Sequence, residues 1–220
     1  MTTPPQGGLS VDLKTLLGII GAALIVLGAA SQAGGQARAN LAATPYPQSI
    51  RVAIRESRPG GEPDPEGRII YVKTVNFDEY GKDSLPNEWY PSWQREALQA
   101  GAIAVKMFGW YHRLNPVTLD GFTFDVDNTV NFQTYREGRR NQATDEAWEA
   151  VRNLAYVEQD GSIFELNYRA GLPNDPNWAY RNSQKMAQWG SQYWADRGRN
   201  MLQILQFYYE GRLLTRIPGL

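Results

Sequence analysis

Residues 93–114 read WQREALQAGAIAVKMFGWYHRL, and the fold turns on this stretch. From Ala97-Leu98 through Trp110 it is apolar on nearly every face of a helix. Ser92 stands before it as a plausible N-cap, and Glu96 lies in the first turns, where exposed N–H groups favour a negative charge. Asn115-Pro116 stops it. A helix apolar all round is buried, so this one is expected at the hub of the domain.

Outward from the helix the patterns are shorter. Ile50 to Ile54 alternates and reads as a strand, and Arg68 to Phe77 is β-branched and aromatic and reads as a second one. Residues 57–67 are a Pro/Gly loop, and residues 78–91 are mixed, restricted by Pro86 and Pro91. Residues 117–136 read as strand and loop. Thr144 is the expected cap of a helix with Trp148, Val151 and Leu154 on one face. Tyr156 to Glu165 reads as a hairpin turning at Asp160-Gly161. Residues 171–182 are a loop, and helices are expected at about 184–197 and 199–209, separated by Gly198. The fold class is α+β: a small mixed sheet and a hairpin around a long buried central helix, with two C-terminal helices.

The chain has 220 residues, enough for one domain and an appendage. Residues 16–30 are an uncharged apolar run, shorter than the ~20 residues of a spanning helix and within reach of a signal h-region. Ser31-Gln32-Ala33 and Ala37-Arg38-Ala39 resemble cleavage sites. Residues 1–39 are therefore read as a signal peptide or N-terminal membrane anchor, 40–48 as a linker and 49–220 as the working domain. The expectation is an exported, cell-envelope or extracellular protein that meets the membrane only through its N-terminal segment.

Composition narrows the chemistry. Net charge is −1, or −2 once Lys14, Arg38 and Asp12 leave with residues 1–39, so no nucleic-acid partner is expected. There is no cysteine and a single histidine, His112, which removes thiolate nucleophiles and multi-histidine metal sites. His112 sits near the helix end beside Tyr111 and Arg113, where an imidazole ordinarily serves the helix dipole. Neither GxxxxGK[ST] nor GxGxxG occurs. Carboxylate chemistry remains.

The segment Leu85-Pro86-Asn87-Glu88-Trp89-Tyr90-Pro91-Ser92-Trp93 holds one carboxylate between two prolines, flanked by Trp, Tyr and Trp. Apolar rings raise a carboxyl pKa by desolvation, as a general acid near neutral pH requires. A nearby helix N-terminus would act the other way. Flat aromatic faces also suit the apolar faces of sugar rings.

Several stretches resemble the SpoIID/LytB domain family in order and spacing. They are Phe77-Asp78-Glu79-Tyr80, Leu85-Pro86-Asn87-Glu88-Trp89, Ser92-Trp93, Glu96-Ala97-Leu98-Gln99-Ala100 and Ala102-Ile103-Ala104-Val105-Lys106. Weaker matches continue at Asp125-Val126, Thr129, Gln133, Tyr135, Ala150-Val151, Asn167-Tyr168, Met186 to Ser191 and Ile204 to Tyr209. The resemblance covers nearly all of residues 46–215. It implies an exported peptidoglycan lytic transglycosylase cutting MurNAc–GlcNAc bonds in glycan strands, with Glu88 as catalytic acid/base and no cofactor. One carboxylate suffices when the substrate's own C6 hydroxyl is the nucleophile, whereas ordinary glycosidases use two. If a second were needed, Asp125 and Asp127 are nearest by motif.

The resemblance further implies glycan contacts from Lys106, Trp89, Gln133, Tyr135, Tyr168, Asn182, Gln188 and Trp189. There are departures. Lys106 stands where the family has arginine, which loses a bidentate fork. Asp127, Asn131 and Phe132 replace the Cys and His that carry zinc in some members, so no metal is expected. Arg181-Asn182-Ser183 replaces Gly-His-Gly. The alternative is a non-catalytic peptidoglycan-binding module, or an envelope scaffold docking other cell-wall enzymes.

Overall fold

The computed structural model describes residue 37 and residues 39–220, so the apolar run at 16–30 and the Ser31-Gln32-Ala33 motif lie outside the described residues. Among the described residues no helix is long and apolar enough to cross a membrane. The elements are β1 (Ser49–Arg55), β2 (Ile69–Asn76), α1 (Phe77–Glu88), α2 (Arg95–Leu114), β3 (Val117–Leu119), β4 (Phe122–Phe124) and β5 (Val126–Asp127). There follow α3 (Gln142–Val151), β6 (Leu154–Val157), β7 (Tyr168–Arg169), α4 (Trp178–Asn182), β8 (Met186–Ala187), α5 (Gln188–Ala195), α6 (Met201–Tyr208) and β9 (Leu213–Arg216). The architecture is the expected α+β one, with small mixed sheets around a buried helix.

That helix is α2. Ala97, Leu98 and every residue from Ala100 to Trp110 are buried. Its N-cap is Gln94 rather than Ser92, without a side-chain cap bond. The chain bends first at Tyr90–Trp93, where the Trp93 N–H donates to the Tyr90 carbonyl at 2.9 Å. Glu96 serves a second helix as well, accepting from the first N–H of α6, on Met201, at 2.6 Å. Gly101 lets α2 approach Trp89: a Cβ there would lie 2.5 Å from the indole Cδ2.

β1 lies at the centre of a sheet ordered β2-β1-β5, antiparallel to β2 and parallel to β5. Residues 78–91, read as mixed, begin as the helix α1. Asn76 caps it by accepting from the Glu79 N–H at 3.1 Å, and Asp78 and Glu79 fill its first turn. Pro86 falls in the last turn, where a missing N–H costs one bond near an end that must close anyway. α3 starts at Asn141, whose side chain accepts from the Ala143 N–H at 2.9 Å. Thr144, the expected cap, lies inside and donates to the Asn141 carbonyl.

Two further expectations are corrected. The Asp160-Gly161 turn forms, but β6 pairs antiparallel with β9 at the C-terminus, not with residues 162–165. Ile163 and Phe164 instead pack against the core and Leu166 is fully buried, so this stretch is spent on burial rather than pairing. Residues 40–48, read as a linker, give Leu41 and Tyr46 to the core. The Tyr46 hydroxyl donates to Asp78 at 2.7 Å, and its ring meets Phe77 and Trp110 edge-on.

Candidate functional site

Glu88 is the last residue of α1. The helix end beside it is therefore a C-terminus, whose partial negative charge disfavours the ionised carboxylate. This reverses the N-terminal effect weighed from the sequence. Its side chain reaches a cavity of about 290 Å³ whose lining includes Asn87, Tyr90, Trp93, Thr134, Gln188 and Trp189. Among the described residues, Glu88 is the single charged one in that lining.

Two donors hold the carboxylate. The Thr134 N–H donates to Oε1 at 2.6 Å, and the Gln188 amide donates to Oε2 at 3.0 Å and to the Glu88 carbonyl at 2.7 Å. Burial pushes the carboxyl pKa above its usual value, against the lowering pull of the two Thr134 contacts, the Gln188 amide and the Arg136 charge. Desolvation wins, so Glu88 retains a proton further toward neutral pH than a free glutamate does.

One wall of the groove is aromatic. Trp93 and Trp189 have ring centroids 4.8 Å apart, and Tyr90 lies 5.3 Å from Trp93 and 5.5 Å from Trp189. Tyr90 is 59% exposed. A large exposed ring beside two others, at the rim of a cavity, offers an apolar face to a ligand. Thr134 was not among the residues expected to touch substrate, and Tyr90 was considered only as one of the aromatic faces around Glu88. The proximity of Thr134 to Gln133 hinted at the first, and the aromatic run at 89–93 at the second.

Of the expected site residues, Glu88, Gln188 and Trp189 come together here. Trp89 lines the same cavity, though its ring is spent on the core, and the others lie outside that lining, each for its own reason. Trp89 is fully buried, with its indole N–H on the Ser191 hydroxyl at 3.0 Å and its ring 4.9 Å from Tyr168. Tyr168 is buried between Trp89 and Phe108. Tyr135 is buried and stacked on Tyr80 at 5.6 Å. Gln133 is fully buried: it accepts from the Tyr80 hydroxyl and donates to the Val105 carbonyl at 3.2 Å and the Tyr168 hydroxyl at 3.0 Å. Asn182 is exposed at the end of α4 and outside the groove lining.

Lys106 is the clearest correction. It is buried on α2 and donates to the carbonyls of Val151 and Arg152, where α3 ends. It caps a helix C-terminus, an arrangement a cation favours. Burial lowers its pKa from 10.5 to about 7, with Asp78 opposing.

The two fallback carboxylates are already paired. Asp125 is buried and accepts from Arg51 at Nη2 (2.6 Å), Nε (3.1 Å) and the backbone N–H (2.8 Å). Asp127 is buried on Arg55 Nε at 2.6 Å and accepts from the N–H and hydroxyl of Thr129. His112 faces Glu165 at 2.9 Å, also away from the groove.

An uncharacterized protein of Brachyspira hyodysenteriae (strain ATCC 49526 / WA1) is 35% identical over 85 residues, 38% of this chain and 23% of the relative. The matched stretch thus spans under a quarter of that relative's length. The family model described as SpoIID, Stage II sporulation protein, matches residues 65–156, which carry Glu88 and Thr134 but neither Gln188 nor Trp189. Residues 65–156, from the approach to β2 into β6, thus match the SpoIID family, the one that the motifs between Phe77 and Lys106 resemble.

Proposed function

We propose that this protein is a peptidoglycan lytic transglycosylase that cuts MurNAc–GlcNAc bonds in glycan strands, with Glu88 as its single general acid and base. The SpoIID match points to sporulation or cell-wall function; the reaction is our reading. The observation that carries it is a partly buried carboxyl of raised pKa, the only charged group among the described residues that line a groove with an aromatic wall. A raised pKa suits a group that must give up a proton near neutral pH.

The step uses no second carboxylate. Glu88 gives its proton to the bridging oxygen as the C1–O bond breaks. The C6 hydroxyl oxygen of the same sugar bonds to C1, and its proton passes to the Glu88 carboxylate. One product ends in a 1,6-anhydro ring, the other in the restored hydroxyl, and no water is consumed. The Thr134 N–H and the Gln188 amide hold the carboxylate in place for both transfers. Tyr90, Trp93 and Trp189 supply faces on which sugar rings stack. On this reading the protein works outside the cytoplasm, with residues 1–39 as signal or anchor.

The test is digestion of purified glycan strands by wild type and Glu88→Gln. Loss of a general acid/base costs on the order of a hundredfold or more, so the variant should bind strands and leave them intact. Cleavage by Glu88→Gln at the wild-type rate would sink the assignment. Binding without cleavage by wild type would favour a glycan-binding module.

A further inference from the structure

A fully buried glutamine is costly unless its amide is satisfied. Gln133 meets that condition with three partners, the Tyr80 hydroxyl, the Val105 carbonyl and the Tyr168 hydroxyl. These belong to α1, α2 and β7, so one side chain ties three elements to the loop after β5. The next peptide unit carries the N–H that meets Glu88. Its carbonyl, on Gln133, accepts from the Tyr135 N–H at 2.7 Å. A trans peptide points N–H and C=O in opposite directions, so fixing the carbonyl on one side aims the N–H at Glu88 on the other. The Tyr135 ring, stacked on Tyr80, holds the far flank. Thr134 is thus clamped on both sides by residues anchored on Tyr80.

We infer that Gln133 is a positioning residue for Glu88: through the Tyr80–Gln133–Tyr168 network it holds the Thr134 N–H on the carboxylate that does the chemistry. It never touches substrate, and it replaces the glycan contact first expected of it. The inference rests on the reading of Glu88 as the acid/base, but its own readout does not require activity. Arg136, Tyr80 and Tyr168 also act electrostatically on or near Glu88. Burial keeps both tyrosines neutral far beyond ordinary pH, so the network changes by geometry and not by charge.

The experiment follows the Glu88 side-chain carboxyl by carbon-13 NMR titration, assigned by its absence in Glu88→Gln. Wild type is compared with Gln133→Met and, as the milder lesion, Tyr168→Phe. Loss of a hydrogen bond to the charged form raises a carboxyl pKa, so the Glu88 midpoint should move to higher pH, further in Gln133→Met. The pH profile of strand cleavage should move with it. Turnover should fall about tenfold or more, as expected of misplaced catalytic groups, with KM little changed. Variants that lower Tm while Glu88 titrates as in wild type would overturn the inference. Strands left uncut by wild type as well, with the midpoint shifted in the variants, would count against the reaction and leave the positioning role supported.

Discussion

Glu88 is a residue whose solvation and hydrogen bonds pull in opposite directions. Desolvation raises its pKa, and the donors on Thr134 and Gln188 lower it. The net rise has a consequence for stability. A carboxyl whose folded pKa exceeds its unfolded value contributes stability that is complete below the unfolded pKa, about 4.3 for glutamate. That contribution is lost as pH climbs through the folded pKa. Glu88→Gln cannot ionise, so wild type should lose stability relative to the variant as pH rises above the unfolded value of about 4.3. Urea titrations of both proteins across that range check it, and a constant difference would contradict it. The aromatic surroundings of Glu88 were legible from the sequence around it. Its partners were not, because Thr134 and Gln188 lie far along the chain and meet it only through the fold. The expectations for Gln133 and Tyr168, both buried away from the groove, share a cause: aromatic and amide side chains serve a core and a ligand equally well, and burial decides between them.

At the scale of elements, glycine and lysine on α2 do what residue type alone does not announce. Gly101 admits the Trp89 indole against the helix. Gly101→Ala should push that ring away and destabilise the fold by about 1–3 kcal/mol, the usual cost of overpacking. Because Trp89 follows Glu88, cleavage should fall too. Thermal melts and strand digestion read both effects. Lys106 closes α3 and has its pKa lowered to about 7. Between that value and the unfolded pKa of about 10.4 the unfolded chain binds more protons, so stability rises with pH there. Lys106→Met should lack this rise, and its deficit against wild type should widen from about pH 7 to pH 9 in denaturant titrations. The long helix and first two strands were legible because their periods are strong. α1 was missed although Asn76 and Glu79 stand at capping spacing, since Pro86 and Pro91 suggested a broken segment. The partner of β6 was missed because β9 lies more than fifty residues on, and a nearby Asp-Gly turn offers a local pairing that the buried Leu166 side then forgoes.

For the whole molecule, the groove assembles chain segments that are distant in sequence: the end of α1 and the bend after it, the loop at Val130–Thr134, Ala170, and the start of α5. The matched segment 65–156 supplies only part of it. It also lacks β1 at the centre of the main sheet, β9 beside β6, and the core residues Ile204, Leu205, Tyr208 and Tyr209 of the C-terminal region. Residues 65–156 alone should therefore fail to fold, giving collapsed amide dispersion in NMR where residues 40–220 give a resolved spectrum. A well-dispersed spectrum from the short piece would contradict this account of the core. The α+β class and the central helix could be read from the sequence. The way the C-terminal third completes both core and groove could not, because such long-range pairing leaves no local pattern.

The central claim is that one carboxylate cleaves the strand without water. Digestion of glycan strands in oxygen-18 water, with mass spectrometry of the new ends, tests it most directly. The claim predicts 1,6-anhydro ends carrying no oxygen-18 from wild type and no new ends from Glu88→Gln. Reducing ends that carry oxygen-18 would mean hydrolysis, and with it a second catalytic group that this groove does not provide.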